Sequence, residues 1–122
     1  MALHSPARAC VHMQDLPDEA LVQVAGLFGA LGQATRLQIL QWLEGQERNG
    51  GELAQLCGCS PANISRHMAL LTYHALLQRE VRGHCTYYRL ADASLDGLLD
   101  AVHAHLARHG AGDFWAVHAR RR

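Results

Sequence analysis

The sequence predicts a mainly α-helical fold with a small β-hairpin, in the order of four helices, two strands and a fifth helix, on three observations. Two helical segments flank Gly58-Cys59-Ser60-Pro61, where a helix breaker is followed at once by a helix starter. Two β-rich runs, Leu77–Arg82 and Cys85–Leu90, then surround Gly83-His84, which reads as a hairpin. Charge is the third observation: residues 60–90 hold four Arg against one Glu, whereas residues 1–59 hold three Arg against six acids. Helix, turn, helix and basic hairpin together make a winged helix-turn-helix.

The elements follow in chain order. Residues 1–16 show no usable period and are expected to form a flexible N-terminal arm carrying His4, Cys10 and His12. Pro17-Asp18-Glu19 opens the first helix with acids where the helix dipole favours them, and Leu21, Val24, Ala25, Phe28 and Leu31 form its apolar stripe. A second helix is expected from about Ala34 to Glu44, with Leu37, Leu40 and Leu43 inward and Ile39 and Trp42 widening that face. Residues 45–51 read as a turn-rich connection. The third helix, Glu52 to Cys57, turns Leu53, Ala54, Leu56 and Cys57 inward and ends at Gly58. Ser60 caps the fourth, in which Ile64, Met68, Leu71 and Ala75 recur at helical spacing. Behind the hairpin, Ser94 to His109 forms the last helix, with Leu95, Leu98, Leu99, Val102 and Leu106 in one sector and Gly110 as its stop. The domain is therefore placed at 17–110, and 111–122 is a C-terminal tail ending in Arg120-Arg121-Arg122.

At 122 residues there is one domain with a modest core, too small to bury its first and last helices internally. Pairing of those helices across a two-fold axis, giving a homodimer, resolves this. No apolar run approaches a membrane span and no signal peptide is legible, so a cytoplasmic protein is expected. In that compartment Cys10, Cys57, Cys59 and Cys85 favour free thiols, metal ligands or redox chemistry over structural disulfides. No nucleophile–base–acid set is legible, so an enzyme is not expected.

The opening turns of the fourth helix carry small and polar groups on their outer side, the pattern of a helix that enters the major groove of double-stranded DNA. Candidate contacts there are Ser60, Ala62, Asn63, Ser65, Arg66 and His67. The wing adds Arg79, Arg82, Gly83 and His84. Every basic residue apart from histidine is Arg, the side chain suited to bidentate guanine or phosphate contacts.

Several motifs resemble the ArsR/SmtB family of bacterial repressors: Ala30 through Leu40, Gly51-Glu52-Leu53-Ala54, Ser65 through Leu71, and Tyr87-Tyr88-Arg89-Leu90. The resemblance covers about residues 18–109. Ala34 stands where the family often has Pro, which is expected to move a helix start only. What the resemblance implies is a homodimeric repressor on an inverted-repeat operator, needing no cofactor to bind DNA, and released by an effector.

The effector is read from the cysteines. Cys57 and Cys59 offer two thiolates and Cys10, on the arm, a third from the other protomer, a set suited to a soft metal or metalloid such as As(III), Cd or Zn. The family's own Cys-x-Cys motif would fall on Asn49 and Gly51 here, so Cys57 and Cys59 also admit a plain reading as small buried hydrophobes. A second candidate metal set, Asp92, His105 and His109, follows the family's last-helix site in part, with Ser94 and Arg108 replacing two of its ligands. Two further readings remain open: a thiol-based redox or reactive-sulfur sensor with no metal, and a winged-helix module that binds protein.

Overall fold

The computed structural model describes residues 12–115. The expectations for His4, Cys10 and Arg120–Arg122 lie outside the described residues. Met13–Asp15 forms a short 3-10 turn within the stretch read as an arm. Helix α1 then spans Asp18–Leu31, α2 Ala34–Trp42, α3 Gly50–Cys57, α4 Pro61–Tyr73 and α5 Ser94–His109. The strands are β1 Arg48–Asn49, β2 Leu77–Arg82 and β3 Cys85–Leu90, in the antiparallel order β1-β3-β2. The wing strands and α5 fall where the sequence puts them.

Strand β1 is the element the sequence reading missed. Arg48 and Asn49 pair with Tyr88 and Tyr87, so the wing is rooted on the segment that enters α3. Arg48 is held from behind, its Nε donating to the Trp42 carbonyl at 2.8 Å and its guanidinium lying 5.4 Å from the Trp42 ring. Asn49 also starts α3: its Oδ1 accepts from Glu52 N at 2.8 Å, while its own N donates to Glu52 Oε1 at 2.9 Å. This reciprocal capping box meets two of the helix's orphan donors and begins α3 two residues before the expected Glu52.

The turn between α3 and α4 follows from its residues. Gly58 adopts the left-handed conformation (φ 66°, ψ 34°) that a side chain would resist. Ser60 Oγ then accepts from Asn63 N at 3.1 Å, and Pro61 occupies the first helical position, where its missing N–H goes unused. The buried faces of α2, α3 and α4 meet around Ile39, Leu40, Leu43, Leu53, Ile64, Met68 and Leu71, with Leu77 and Leu95 closing the core. Full burial of such side chains stabilises by about 1.5–3 kcal/mol each.

Four apolar assignments change. Leu37 is 41% exposed; the inward side of α2 is instead Arg36, Ile39, Leu40 and Leu43, and the helix ends at Trp42. Ala75 lies beyond α4 with φ 60°, because the chain must reverse there to bury Leu76 and enter β2. Of the α1 stripe, Leu31 is buried and Phe28 is 52% exposed; with Val22, which lies outside that stripe and is 71% exposed, one subunit leaves apolar surface of α1 uncovered. Val102 on α5 is exposed as well.

Candidate nucleic-acid interface

Because the Ser60 cap and the buried Ile64–Met68–Leu71 ridge orient α4, its opening turns present Ala62, Ser65 and Arg66 to solvent, with Asn63 half-buried. Arg66 Nη2 donates to Asn63 Oδ1 at 2.9 Å. That contact holds the guanidinium in place and leaves the Asn63 amide donors for another partner. Ser60 Oγ sets the helix start by accepting from Asn63 N, and its O–H proton is still able to donate to a phosphate.

The wing and α4 form one continuous surface. An open groove of about 350 Å³ brings Ser65, Ala69 and Tyr73 opposite Arg79 and Tyr88. A second, of about 400 Å³, joins Pro61 and Ser65 to His84 and Cys85. Ser65 lies at the border of both. Cys85 is exposed, because it opposes Arg82 at the wing tip, beyond the body of the domain.

Arg82 is engaged. Its Nη1 and Nη2 donate to Glu47 at 2.6 and 2.9 Å, Nη2 also donates to Glu80 Oε1 at 2.8 Å, and the guanidinium lies 4.7 Å from the Tyr87 ring centroid. The Arg82 hydrogen bond and charge hold the Glu80 carboxyl below the usual carboxylate range, and Glu80 and Glu47 in turn raise Arg82. Sequence reasoning missed Glu47, an isolated acid in a loop 35 residues from its partner. A phosphate must compete with two carboxylates for this wing arginine. Glu47→Gln is accordingly expected to raise affinity for any duplex by about two- to fivefold at low salt, the scale of an exposed ion pair. It should also steepen the salt dependence by about one counterion. Anisotropy titrations across a salt series read both, and an unchanged slope would show that the clamp does not oppose phosphate.

His67, placed among the DNA contacts from the sequence, is half-buried, with its Nδ1 3.3 Å from Arg36 Nη1. Burial first, then the Arg36 and Arg66 charges, lower its proton affinity below that of an ordinary imidazole.

The two effector sets are less assembled. Cys57 and Cys59 are half-buried against the core at the α3–α4 turn, and Cys59 Sγ donates to the Cys57 carbonyl at 3.6 Å. Burial, with a smaller contribution from Cys59, pushes the Cys57 thiol up. Asp92 accepts from Ser94 N at 2.8 Å and Ser94 Oγ at 2.5 Å, which keeps its carboxyl below the usual range and ties it to the start of α5. His105 and His109 share a face of α5, their rings 4.8 Å apart. Among the described residues of one chain, no three His, Cys, Asp or Glu side chains are grouped to hold a metal ion.

Known proteins share this arrangement. The family model for the bacterial regulatory proteins of the arsR family matches residues 33–72, from the start of α2 to the end of α4. The chain is 32% identical over 94 residues to the HTH-type transcriptional regulator KmtR of Mycobacterium tuberculosis, covering 73% of this chain and 72% of that one. Among solved structures it is similar to the homodimeric winged helix-turn-helix DNA-binding domain of Mb0332 from Mycobacterium bovis, with a TM-score of 0.70 and 28% identity over 82% of this chain and 93% of that one. NolR from Sinorhizobium fredii superposes with a TM-score of 0.67 at 25% identity, covering 85% and 99% respectively.

Proposed function

This chain belongs to the ArsR family of bacterial regulatory proteins, and from that premise we propose that it is a homodimeric transcriptional repressor that reads an inverted-repeat operator. The observation that carries the reading is the Arg66–Asn63 pair, held on the exposed opening turns of a capped helix beside a basic wing. A guanidinium and an amide so placed suit base edges, and Ser65, Arg79 and His84 suit the flanking phosphates. The uncovered apolar flank of α1 and Val102 of α5 support a two-fold partner, which would set two α4 helices about one helical turn of DNA apart. The protein acts by binding, in the cytoplasm; no helix among the described residues is long and apolar enough to cross a membrane.

The effector belongs to the same proposal. A soft metal or metalloid such as As(III), Cd or Zn, bound by Cys57, Cys59 and a partner's arm thiol at Cys10, would pull on the turn that aims α4. A coupling of about 1–3 kcal/mol is enough to release an operator. The raised Cys57 thiol means that a metal must displace its proton to bind there; oxidation at Cys57, Cys59 or Cys10 without metal is the second reading. His105, His109 and Asp92 form the alternative metal set, of which the neighbouring histidine pair, with rings 4.8 Å apart and tilted by 43°, is the better assembled part.

Selection from randomised inverted repeats, with mass measurement of the complex, tests the first part: two protomers per duplex are expected. A protein that stays monomeric and prefers no inverted repeat overturns it. Release of bound operator is then titrated with As(III), Cd(II), Zn(II) and Ni(II) under reducing conditions, and separately with peroxide or persulfide. Because ligation must deprotonate Cys57, half-release is expected at lower metal concentration at pH 8 than at pH 6.5. Release by oxidant alone removes the metal reading.

A further inference from the structure

We propose that Arg36 is a positioning residue for operator reading, which fastens the opening turns of α4 to the end of α1 through His67 and touches no DNA itself. Arg36 lies in the first turn of α2 and is only 8% exposed. Its partners are two backbone carbonyls and one ring nitrogen. Nε donates to Ala30 O at 2.5 Å, Nη2 donates to Gly29 O at 3.1 Å, and Nη1 faces His67 Nδ1 at 3.3 Å. The carbonyls belong to the last turn of α1, the negative end of that helix, and Gly29 O also accepts from Gly32 N at 3.1 Å, so the guanidinium shares that acceptor with the helix cap. A guanidinium there is compensated by helix dipole and hydrogen bonds. The remaining arm then reaches α4.

A guanidinium has donors only, so His67 must present a bare Nδ1 and carry its proton on Nε2. Arg36 and Arg66 are the charged groups of this cluster and His67 is its titratable one. His67 directly follows Arg66 and sits one turn after Asn63, so a lock at His67 fixes the roll of the residues placed on the bases. It also joins α4 to α1, the helix whose apolar flank is left for a partner, which links subunit pairing to the aim of the reading helix. His67, half-buried, is thereby assigned to this lock in place of a base contact.

The inference rests on the operator-reading proposal, and the test separates the two. In the DNA-free protein, ¹⁵N NMR of the His67 ring is expected to show the Nε2–H tautomer. An Nδ1–H tautomer overturns the lock whatever DNA does. On the selected operator, His67→Ala is expected to lower affinity about tenfold, the scale of a hydrogen bond to a charged group, with the preferred base unchanged at every position. His67→Gln, whose Oε1 can accept from Arg36, is expected to recover most of that loss. Arg36→Lys is expected to weaken binding similarly, and adding His67→Ala to it to cost little more. A changed base preference in His67→Ala would make it a direct contact, and equal losses with Ala and Gln, or additive losses with Arg36→Lys, would also overturn the proposal. Should Arg36→Lys fail to fold, the His67 pair decides, since that side chain is half-exposed. Failure of the unmutated protein to select any duplex, with the Nε2–H signature present, would leave the contact standing while removing both its proposed purpose and the repressor reading.

Discussion

Arg66→Ala is expected to lower affinity for the selected operator about 10- to 100-fold while changing binding to scrambled duplex by no more than about threefold. The magnitude is that of one bidentate base contact, about 1–3 kcal/mol. Arg66 suits the role because it is exposed yet tethered by Asn63 Oδ1 at 2.9 Å, so less side-chain freedom remains to be lost on binding. Arg66→Lys keeps the charge and loses the planar fork, and most of the discrimination should go with it. Anisotropy titrations at one fixed salt concentration, with operator and scrambled duplex side by side, read the ratio. Equal losses on both would reduce Arg66 to a phosphate contact.

Leu71→Ala is expected to destabilise the fold by about 2–5 kcal/mol, the range for emptying a closed aliphatic site. Leu71 is fully buried where α4 packs into the core, and its carbonyl accepts from Leu76 N at 3.0 Å, closing the helix as the chain turns toward the wing. A total stability of about 5–15 kcal/mol makes this loss a large fraction. A fall in melting temperature of about 10–30 °C follows for a domain of this size. Leu37→Ala on the neighbouring helix, at 41% exposure, should cost less than about 1 kcal/mol when both are followed by urea unfolding at the same protein concentration. Comparable losses at the two positions would contradict the burial described for α2.

Much of this was legible because it depends on residues close together in sequence. Gly58 with Ser60-Pro61 specifies a turn by local backbone preference, and Gly83-His84 between β-rich runs specifies a hairpin whose register the strands then obey. The Asn63, Ser65 and Arg66 placement follows from those. What escaped depends on partners far along the chain. Arg48–Asn49 is too short to show an alternation, and becomes a strand only because Tyr87 and Tyr88 arrive beside it. Arg36 breaks the apolar rule for α2, and nothing local says that its charge will meet the carbonyls of Gly29 and Ala30. The meeting of His67 with Arg36, 31 residues away, is likewise long-range. Glu47 reached Arg82 for the same reason, a meeting that only the folded sheet arranges. Phe28 was read as core because its spacing is right, yet a helix pattern does not say whether the covering surface belongs to its own subunit.

Asn49 has two duties, as a rung beside Tyr87 and as the cap of α3, so the root of the wing and the entrance of the helix-turn-helix share one residue. The gap between hairpin and reading helix is thus set before any duplex arrives. A preset gap makes the nucleic acid the yielding member of the encounter, and stiff or easily kinked base steps between the two prongs then count toward recognition even where no side chain reaches them.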